Sequence, residues 1–336
     1  MATYKGIKGV KVESLTADPT ASEAVGNVWY NTPGDALKYS IAGAAAWASA
    51  PAVNTARRSF MGTGTTTAAV VAGGAPGYLT ATETYNGSAW STSPATLTTG
   101  TDYNKGDGSS TAAIQFAGTL APSGTASNVT ETFDGSAWTT SPATLNTARQ
   151  KPGNSTLGST TASLCFGGEL VWPSPAAGVN ETEKFNGSTW TELANLNTSR
   201  KELGGAGTST AALAIGGMTT PPSSTGMTAV VESWDGTSWT EVADLNDSRA
   251  SAGSAGSNTA AMLFGGSAPA TTNSTEIWNG TSWTEVGNLA AARYGQASAG
   301  ASNQAALSVS GYTTTNVTSV EEWADPTYTI KTVTVS

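Results

Sequence analysis

The groups able to do chemistry in this 336-residue chain recur at nearly regular intervals. Most repeats carry an arginine near their start and a glutamate before an aromatic residue. Two roles are open for such residues. They could form an arginine cluster that binds a ligand, or Arg–Glu pairs that neutralise each other inside the fold. The arginines are Arg57, Arg149, Arg200, Arg249 and Arg293, and the glutamates are Glu83, Glu131, Glu183, Glu232, Glu276 and Glu321.

The composition excludes several other kinds of chemistry. The chain has no histidine, which rules out a Ser–His–Asp triad, a Cys–His pair and a His-ligated metal. Its one cysteine, Cys165, rules out an internal disulfide framework and a Cys-based zinc site, and reads as a small buried hydrophobe. We therefore expect no metal and no cofactor.

Charge and hydropathy narrow the class of protein further. The net charge is −9, with lysine and arginine scattered, which argues against nucleic-acid binding. No apolar run approaches the roughly 20 residues of a membrane span, and the first residues lack the apolar core of a signal peptide. With 38% hydrophobic residues and 11 tryptophans, a folded all-β protein is expected.

An internal repeat predicts the secondary structure that carries these arginines and glutamates. A nine-residue segment, Thr82 to Trp90, recurs four times, and a degenerate sixth copy ends at Tyr328. Glycine doublets such as Gly73-Gly74 end short apolar runs on the same period, and the second repeat has Thr101 where the arginine should be. The anchor residues, 44 to 52 residues apart, stand at positions 90, 138, 190, 239, 283 and 328. Such a period holds four strands, a to d from the inside outward, which is one propeller blade.

The junction of strands c and d predicts the face on which side chains lie. Asn-Gly or Asp-Gly is typical of a two-residue type I′ turn. In the first repeat that turn would pair Tyr85 with Ser88 and Glu83 with Trp90, all on one face. We expect the aromatic residues at these positions to pack between neighbouring blades rather than to stack on a ligand. They are Tyr85, Trp90, Phe133, Trp138, Phe185, Trp190, Trp234, Trp239, Trp278, Trp283 and Trp323.

These glycine doublets, aromatic residues and tryptophans together resemble kelch repeats over roughly residues 51 to 336. The aromatic residue and the tryptophan are slightly closer here than is typical of kelch motifs. The resemblance implies an all-β, kelch-like β-propeller with six four-stranded blades. A seventh stays open, because residues 27–50 hold a further aromatic-to-Trp element that suits outer strands or a separate hairpin. The predicted repeats span about 51–97, 98–145, 146–196, 197–245, 246–289 and 290–336.

Known propellers suggest two activities for comparison. Galactose oxidase is a kelch propeller whose copper needs histidine, which this chain lacks. Sialidases are six-bladed propellers with an arginine cluster, but their Ser-x-Asp-x-Gly-x-x-Trp box is absent. An arginine at one position of nearly every blade suits architecture better than catalysis. We therefore predict that each arginine forms a partly buried, bidentate pair with a strand c glutamate of its own or the adjacent blade.

The segment before the propeller suggests a biological role. Residues 1–26 hold Lys5, Lys8 and Lys11 and suit a basic docking arm, or else a flexible leader. The following segment, Gly26 to Tyr39, resembles a hairpin of many bacteriophage virion proteins, notably tail-fibre and appendage proteins. That likeness implies a non-enzymatic virion protein, assembled in the host cytoplasm, that docks through its arm.

The expected partners follow from the same interpretation. The loops between strands b and c vary most, and Trp172 lies there outside every repeated position, which suits a partner or glycan contact or loop packing. Other virion proteins and host surface glycans are the expected partners, and homo-oligomerisation is open. The alternatives are a capsid-decorating protein and a sialidase-like, carbohydrate-active enzyme.

Overall fold

The chain forms two compact units, residues 47–324 and a smaller unit from residues 1–46 and 325–336. The structure, a computed structural model, describes residues 12–20, 24, 26–42, 45–170, 178–219, 226–268, 270–324 and 328–333. The described residues contain strands and turns and no α-helix. Accordingly, none of the described segments is a helix that could cross a membrane.

The larger unit contains six antiparallel sheets of four strands, here called blades 1 to 6. Blade 1 comprises Met61–Thr65, Ala68–Ala72, Ala81–Tyr85 and Trp90–Thr96. Blade 2 comprises Lys105–Gly108, Ala113–Phe116, Thr130–Phe133 and Trp138–Thr140. Blade 3 comprises Gly153–Asn154, Ser163–Phe166, Thr182–Phe185 and Trp190–Glu192. Blades 4 and 5 comprise Gly204–Thr208, Ala211–Ile215, Val231–Trp234 and Trp239–Glu241; and Gly253–Gly256, Ala261–Phe264, Thr275–Trp278 and Trp283–Val286. Blade 6 comprises Ala297–Ser302, Ala305–Val309, Val320–Ala324 and, as its outermost strand, Ala46–Ala50.

The six blades close into a ring, which confirms the predicted β-propeller. Each strand a contacts strand a of the next blade, and blade 6 contacts blade 1. Because these strands crowd around one axis, they are built from small residues. A Cβ added at Gly205 would lie 2.1 Å from the Asn154 carbonyl oxygen of the neighbouring blade. The apolar strands b lie between blades and are buried on both faces.

The sixth blade differs from the sequence prediction. Residues 290–336 were expected to supply all four of its strands, with an anchor at Tyr328. Instead, Ala46–Ala50 is the outermost strand, and Trp47 takes the anchor position. Its ring centroid lies 4.7 Å from Phe264 and 5.6 Å from Trp323, and its Nε1 donates to Thr275 Oγ1 at 2.9 Å. The reason is geometric, since a strand that precedes blade 1 in the chain pairs with blade 6 and so ties the two ends of the ring together.

The turn between strands c and d also differs from prediction. Tyr85 pairs directly with Trp90, and Glu83 with Thr92, so the turn has four residues rather than two. The Asn86 side chain accepts from the backbone N–H groups of Ser88 and Ala89 at 3.0 and 2.9 Å, and only Gly87 has positive φ. The asparagine therefore builds an Asx-type turn, not the predicted type I′ turn.

The smaller unit is a four-stranded sheet that joins both ends of the chain. Its order is Glu13–Leu15, Val28–Asn31, Ala36–Ala42 and Tyr328–Thr332. The strand predicted to close blade 6 lies here, with Ala42 opposite Tyr328. Residues 27–50 therefore supply a hairpin of this sheet and one strand of blade 6, not a seventh blade. Two short sheets complete the described strands: Thr101–Asp102, Thr119–Leu120 and Thr125–Ala126; and Ser267–Ala268 with Ala270–Thr271.

The closing strand yields a test of the ring. We expect Trp47→Ala to lower the free energy of unfolding by about 3–5 kcal/mol, because the change removes a large side chain that packs blade 6 against blade 5. Chemical denaturation of the full chain measures the loss. The exposed Ile41→Ala is the control and should change stability by less than about 0.5 kcal/mol. A Trp47→Ala variant as stable as the control would show that this strand does not close the ring.

Candidate functional site

The five repeated arginines are fully buried, and each contacts the strand c glutamate of its own blade. In blade 1, Arg57 Nη2 lies 2.7 Å from Glu83 Oε1, and Nη1 donates to the carbonyl oxygens of Gly73 and Ala81. Glu83 also accepts from the backbone N–H of Asn54 at 2.6 Å. The other pairs are Arg149–Glu183 at 2.6 Å, Arg200–Glu232 at 2.8 Å, Arg293–Glu321 at 2.6 Å, and Arg249–Glu276.

The geometry of these pairs corrects the sequence prediction in two respects. The contact is through one guanidinium nitrogen rather than bidentate, because the second terminal nitrogen is bound to backbone carbonyls. The side chains are also fully rather than partly buried. With every arginine held by a glutamate and by carbonyl groups of its own blade, none is presented to a ligand as an arginine cluster would be.

The backbone of each repeated arginine is hydrogen-bonded to the preceding blade. The second residue of the doublet position donates its N–H to the backbone carbonyl at the arginine position of the next blade, as Gly168 does to Arg200 at 2.8 Å. In blade 2 that acceptor is Thr101. Gly168 has a φ of 105°, a conformation that favours glycine. The arginine therefore links two blades, because its backbone carbonyl is bound by the glycine of one blade and its side chain is bound within the next.

Blade 2 shows the arrangement without an arginine. Thr101 replaces the arginine, and Glu131 instead accepts from Thr98 N at 2.8 Å and from Gln115 Nε2 at 3.3 Å. Burial raises the pKa of Glu131 above its ordinary value, against the opposing effect of these hydrogen bonds. The neutral amide of Gln115 thus replaces the missing guanidinium only in part.

The repeated aromatic residues contact each other within a blade and across the gap to the next. Tyr85 and Trp90 stack with centroids 4.9 Å apart, and Phe133 and Trp138 are 5.1 Å apart. Across blades, Phe116 meets Trp190 edge-on at 4.9 Å. Similar pairs within blades 3 to 5 are Phe185–Trp190, Trp234–Trp239 and Trp278–Trp283. These side chains are buried, so the ring of tryptophans offers no stacking surface for a ligand.

The indole N–H groups of strand d reach one position in the preceding blade. Trp138 donates to Thr82 Oγ1 at 2.9 Å, and Trp190 donates to Thr130 Oγ1 at 2.9 Å. In blades 4 and 6 the equivalent residue is Val231 or Val320, which has no acceptor. The facing Nε1 atoms, of Trp283 and Trp90, are buried without a hydrogen-bond partner among the described residues.

One end of the ring axis is closed by a cycle of backbone hydrogen bonds that the sequence did not reveal. The residue two places after each arginine position has a φ between 52° and 64°. Each donates its N–H to the carbonyl of the preceding member, at 2.6 to 3.3 Å, and the sixth returns to the first. This axial cycle comprises Ser59, Tyr103, Lys151, Glu202, Ser251 and Gly295. Five of the six are not glycine, so residue type gave no signal of the left-handed backbone.

The side chains at this end break the repeat symmetry and form a polar network. Lys151 Nζ lies 4.8 Å from the Tyr103 ring centroid, 3.1 Å from Glu202 Oε1 and 2.9 Å from Glu169 Oε1. Lys201 also pairs with Glu169. Burial disfavours the charged form of Lys151, but the carboxylates of Glu202 and Glu169 outweigh it and raise its pKa above the ordinary value.

Two further carboxyl groups have raised pKa values. Burial raises the pKa of Asp102 to about 6, against the hydrogen bond from Thr119, and Asp102 Oδ1 has no hydrogen-bond partner within the described residues. Burial raises the pKa of Asp107 to about 7, although Ser163, Asn154 and Ser155 donate to it. Neither residue lies at a repeated acidic position, which is why the repeat pattern did not single them out.

The predicted partner-contact residues, the cysteine and possible metal ligands complete the comparison with the sequence analysis. Lys5, Lys8, Lys11 and Trp172 lie outside the described residues. Cys165 is fully buried in strand b of blade 3. Within the described part of the chain, no group of three or more acidic or cysteine side chains is placed to hold a metal ion.

The contrast between blades 2 and 3 tests the Arg–Glu pair. We expect Glu183→Gln to lower the free energy of unfolding by about 3–5 kcal/mol, because it leaves the Arg149 charge buried without compensation. The matched change Glu131→Gln should cost only about 1 kcal/mol, since no arginine faces that carboxylate. Urea denaturation compares the two variants. Equal losses would contradict a role for the guanidinium charge.

The unpartnered indoles yield a second test. Val231→Thr should place a hydroxyl opposite Trp283 Nε1 and stabilise the fold by about 1 kcal/mol. The reverse change, Thr130→Val, should cost about 1–3 kcal/mol because it leaves Trp190 Nε1 buried without an acceptor. Both substitutions nearly conserve volume, so thermal unfolding reports the hydrogen bond. Shifts of the same sign in both variants would contradict this assignment.

Comparison with known proteins bears on the fold. No family model matches the sequence, and no curated protein matches it. Among solved structures, the chain is similar to one described as the structure of YjhT, with a TM-score of 0.64 and 13% sequence identity. The match covers 84% of this chain and 99% of that one. At this level of identity the likeness shows a shared fold, and this chain is a β-propeller on the evidence of both its own sheets and that neighbour.

Proposed function

We propose that this chain is a non-enzymatic structural protein of a bacteriophage virion, a tail-fibre or appendage component. The observation that carries the proposal is the division of the chain into a propeller and a separate sheet built from both chain ends. That sheet contains the hairpin that resembles virion proteins, with Val28–Asn31 paired to Ala36–Ala42. The sheet is the docking module, and the propeller presents its variable b–c loops to a host surface or a neighbouring subunit.

Three side-chain hydrogen bonds to one carboxylate stabilise the docking module. Asp18 accepts hydrogen bonds from Trp29 Nε1 at 3.0 Å, Asn31 Nδ2 at 2.6 Å and Lys38 Nζ at 2.6 Å. Donation by Lys38, Trp29 and Asn31 lowers the pKa of Asp18 to about 2. One carboxylate therefore ties the segment at residues 12–20 to both strands of the hairpin, and this arrangement depends on its charge.

The axial network and the arginines support a binding role over catalysis. Lys151 and Lys201 are paired with Glu169 and Glu202, and the five repeated arginines are enclosed in the blades. A sialidase-like enzyme, the alternative, would use arginines open to the substrate. A hydrolysis screen of glycans decides this point, and turnover of any glycan would replace the non-enzymatic proposal.

The virion role is tested by altering the docking module in the phage that encodes it. We expect Asp18→Asn to reduce the amount of this protein in purified particles several-fold, because the amide offers one acceptor oxygen where three donors converge. Quantitative mass spectrometry of the particles measures incorporation. Asp134→Asn is the matched control, because asparagine occupies the same exposed turn position in blades 1, 3 and 5.

The outcomes separate the parts of the proposal. Absence of the wild-type chain from purified particles would overturn the virion role. Equal incorporation of Asp18→Asn and wild type would remove docking through the terminal sheet. Immunogold labelling of the same particles then distinguishes a tail appendage from a capsid-decorating protein, which is the other structural alternative.

A further inference from the structure

Lys105 breaks the repeat at the innermost strand. It is the first residue of strand a in blade 2, where every other blade has a small or apolar residue. The equivalent residues are Met61, Gly153, Gly204, Gly253 and Ala297. A lysine at this position places an ammonium group near the axis, where the other blades have uncharged residues.

The lysine lines the central cavities of the ring. One cavity, of about 40 Å³, lies next to the axial cycle, and Lys105 shares its lining with Tyr103, Lys151 and Glu202. A second, of about 20 Å³, is lined by Lys105 with Asn154 and residues of blades 1, 5 and 6. Lys105 belongs to both linings, and its side chain is only partly exposed. A ligand on the axis would therefore meet this side chain.

The Lys105 ammonium group is not directly paired within the described part of the chain. Among the described residues it makes no hydrogen bond and no ion pair, unlike the buried arginines and Lys151. Burial lowers the pKa of Lys105 below its ordinary value, and the Glu202 carboxylate opposes this only from a distance. Glu202 is itself bound by Lys151 and Ser251. An ammonium group without a counter-charge is costly in such a place, so an anion there would be stabilised.

We infer that the central channel of the propeller binds a small anion at Lys105. The class is a halide or a small carboxylate such as formate, because the two cavities that Lys105 lines have volumes of only about 40 and 20 Å³. Lys105 supplies the charge and up to three N–H donors. The site is independent of the virion role, since it rests on the propeller alone.

Anion-dependent unfolding of the full chain tests this site. The wild-type unfolding midpoint should rise with bromide or formate and then saturate, compared with gluconate at equal sodium and ionic strength. Lys105→Met, which places the residue of blade 1 at this position, should lose the response. Lys184→Met, at a partly exposed lysine of blade 3, should keep it. Equal midpoints of wild type in bromide and gluconate would overturn the proposal, as would an unchanged response in Lys105→Met.

A direct measurement does not depend on how the variant folds. Crystals of the wild-type protein soaked in bromide should show an anomalous peak beside the Lys105 ammonium group. Peaks confined to the outer surface would mean adventitious ions only and would overturn the assignment.

Discussion

The ring depends on the contacts of a buried arginine, which is present at five of its six blade junctions. Its backbone carbonyl accepts from the glycine doublet of one blade, and its guanidinium binds the glutamate and carbonyl groups of the next. A single residue therefore joins two sheets and also neutralises a carboxylate buried beside tryptophan. Breaking such a pair is costly because it strands a charge, even where the intact pair adds little net stability over an apolar replacement.

The axial cycle follows from the same anchor. Because the arginine backbone is held against the previous blade, the residue two places later reaches the axis with its left-handed backbone set by both neighbours. Six such residues meet and satisfy each other's N–H and C=O groups, so the hydrogen bonds of this cycle do not use the side chains. Lys151, Glu202 and Tyr103 can therefore differ between blades and form an asymmetric polar end on a nearly symmetric scaffold.

Departures from the repeat are the places where the chain acquires individual properties. Thr101 removes one arginine and leaves Glu131 with an amide partner. Val231 and Val320 remove acceptors for two indoles, which marks positions where stability was not maximised. Lys105 adds a charge at the channel. The repeat explains the architecture, whereas these exceptions are where binding is to be sought.

The all-β propeller could be predicted from the sequence, because the period, the glycine doublets and the aromatic hairpins are local patterns typical of this fold. The arginines and glutamates could also be predicted as architectural partners, since they recur with the blades. The tertiary structure was needed to show how many guanidinium nitrogens reach each carboxylate, since the competing carbonyls come from strands distant in sequence. It alone placed Ala46–Ala50 in the last blade and Tyr328–Thr332 in the terminal sheet. Pairing between the two chain ends is a long-range contact, and no local pattern of residues encodes it.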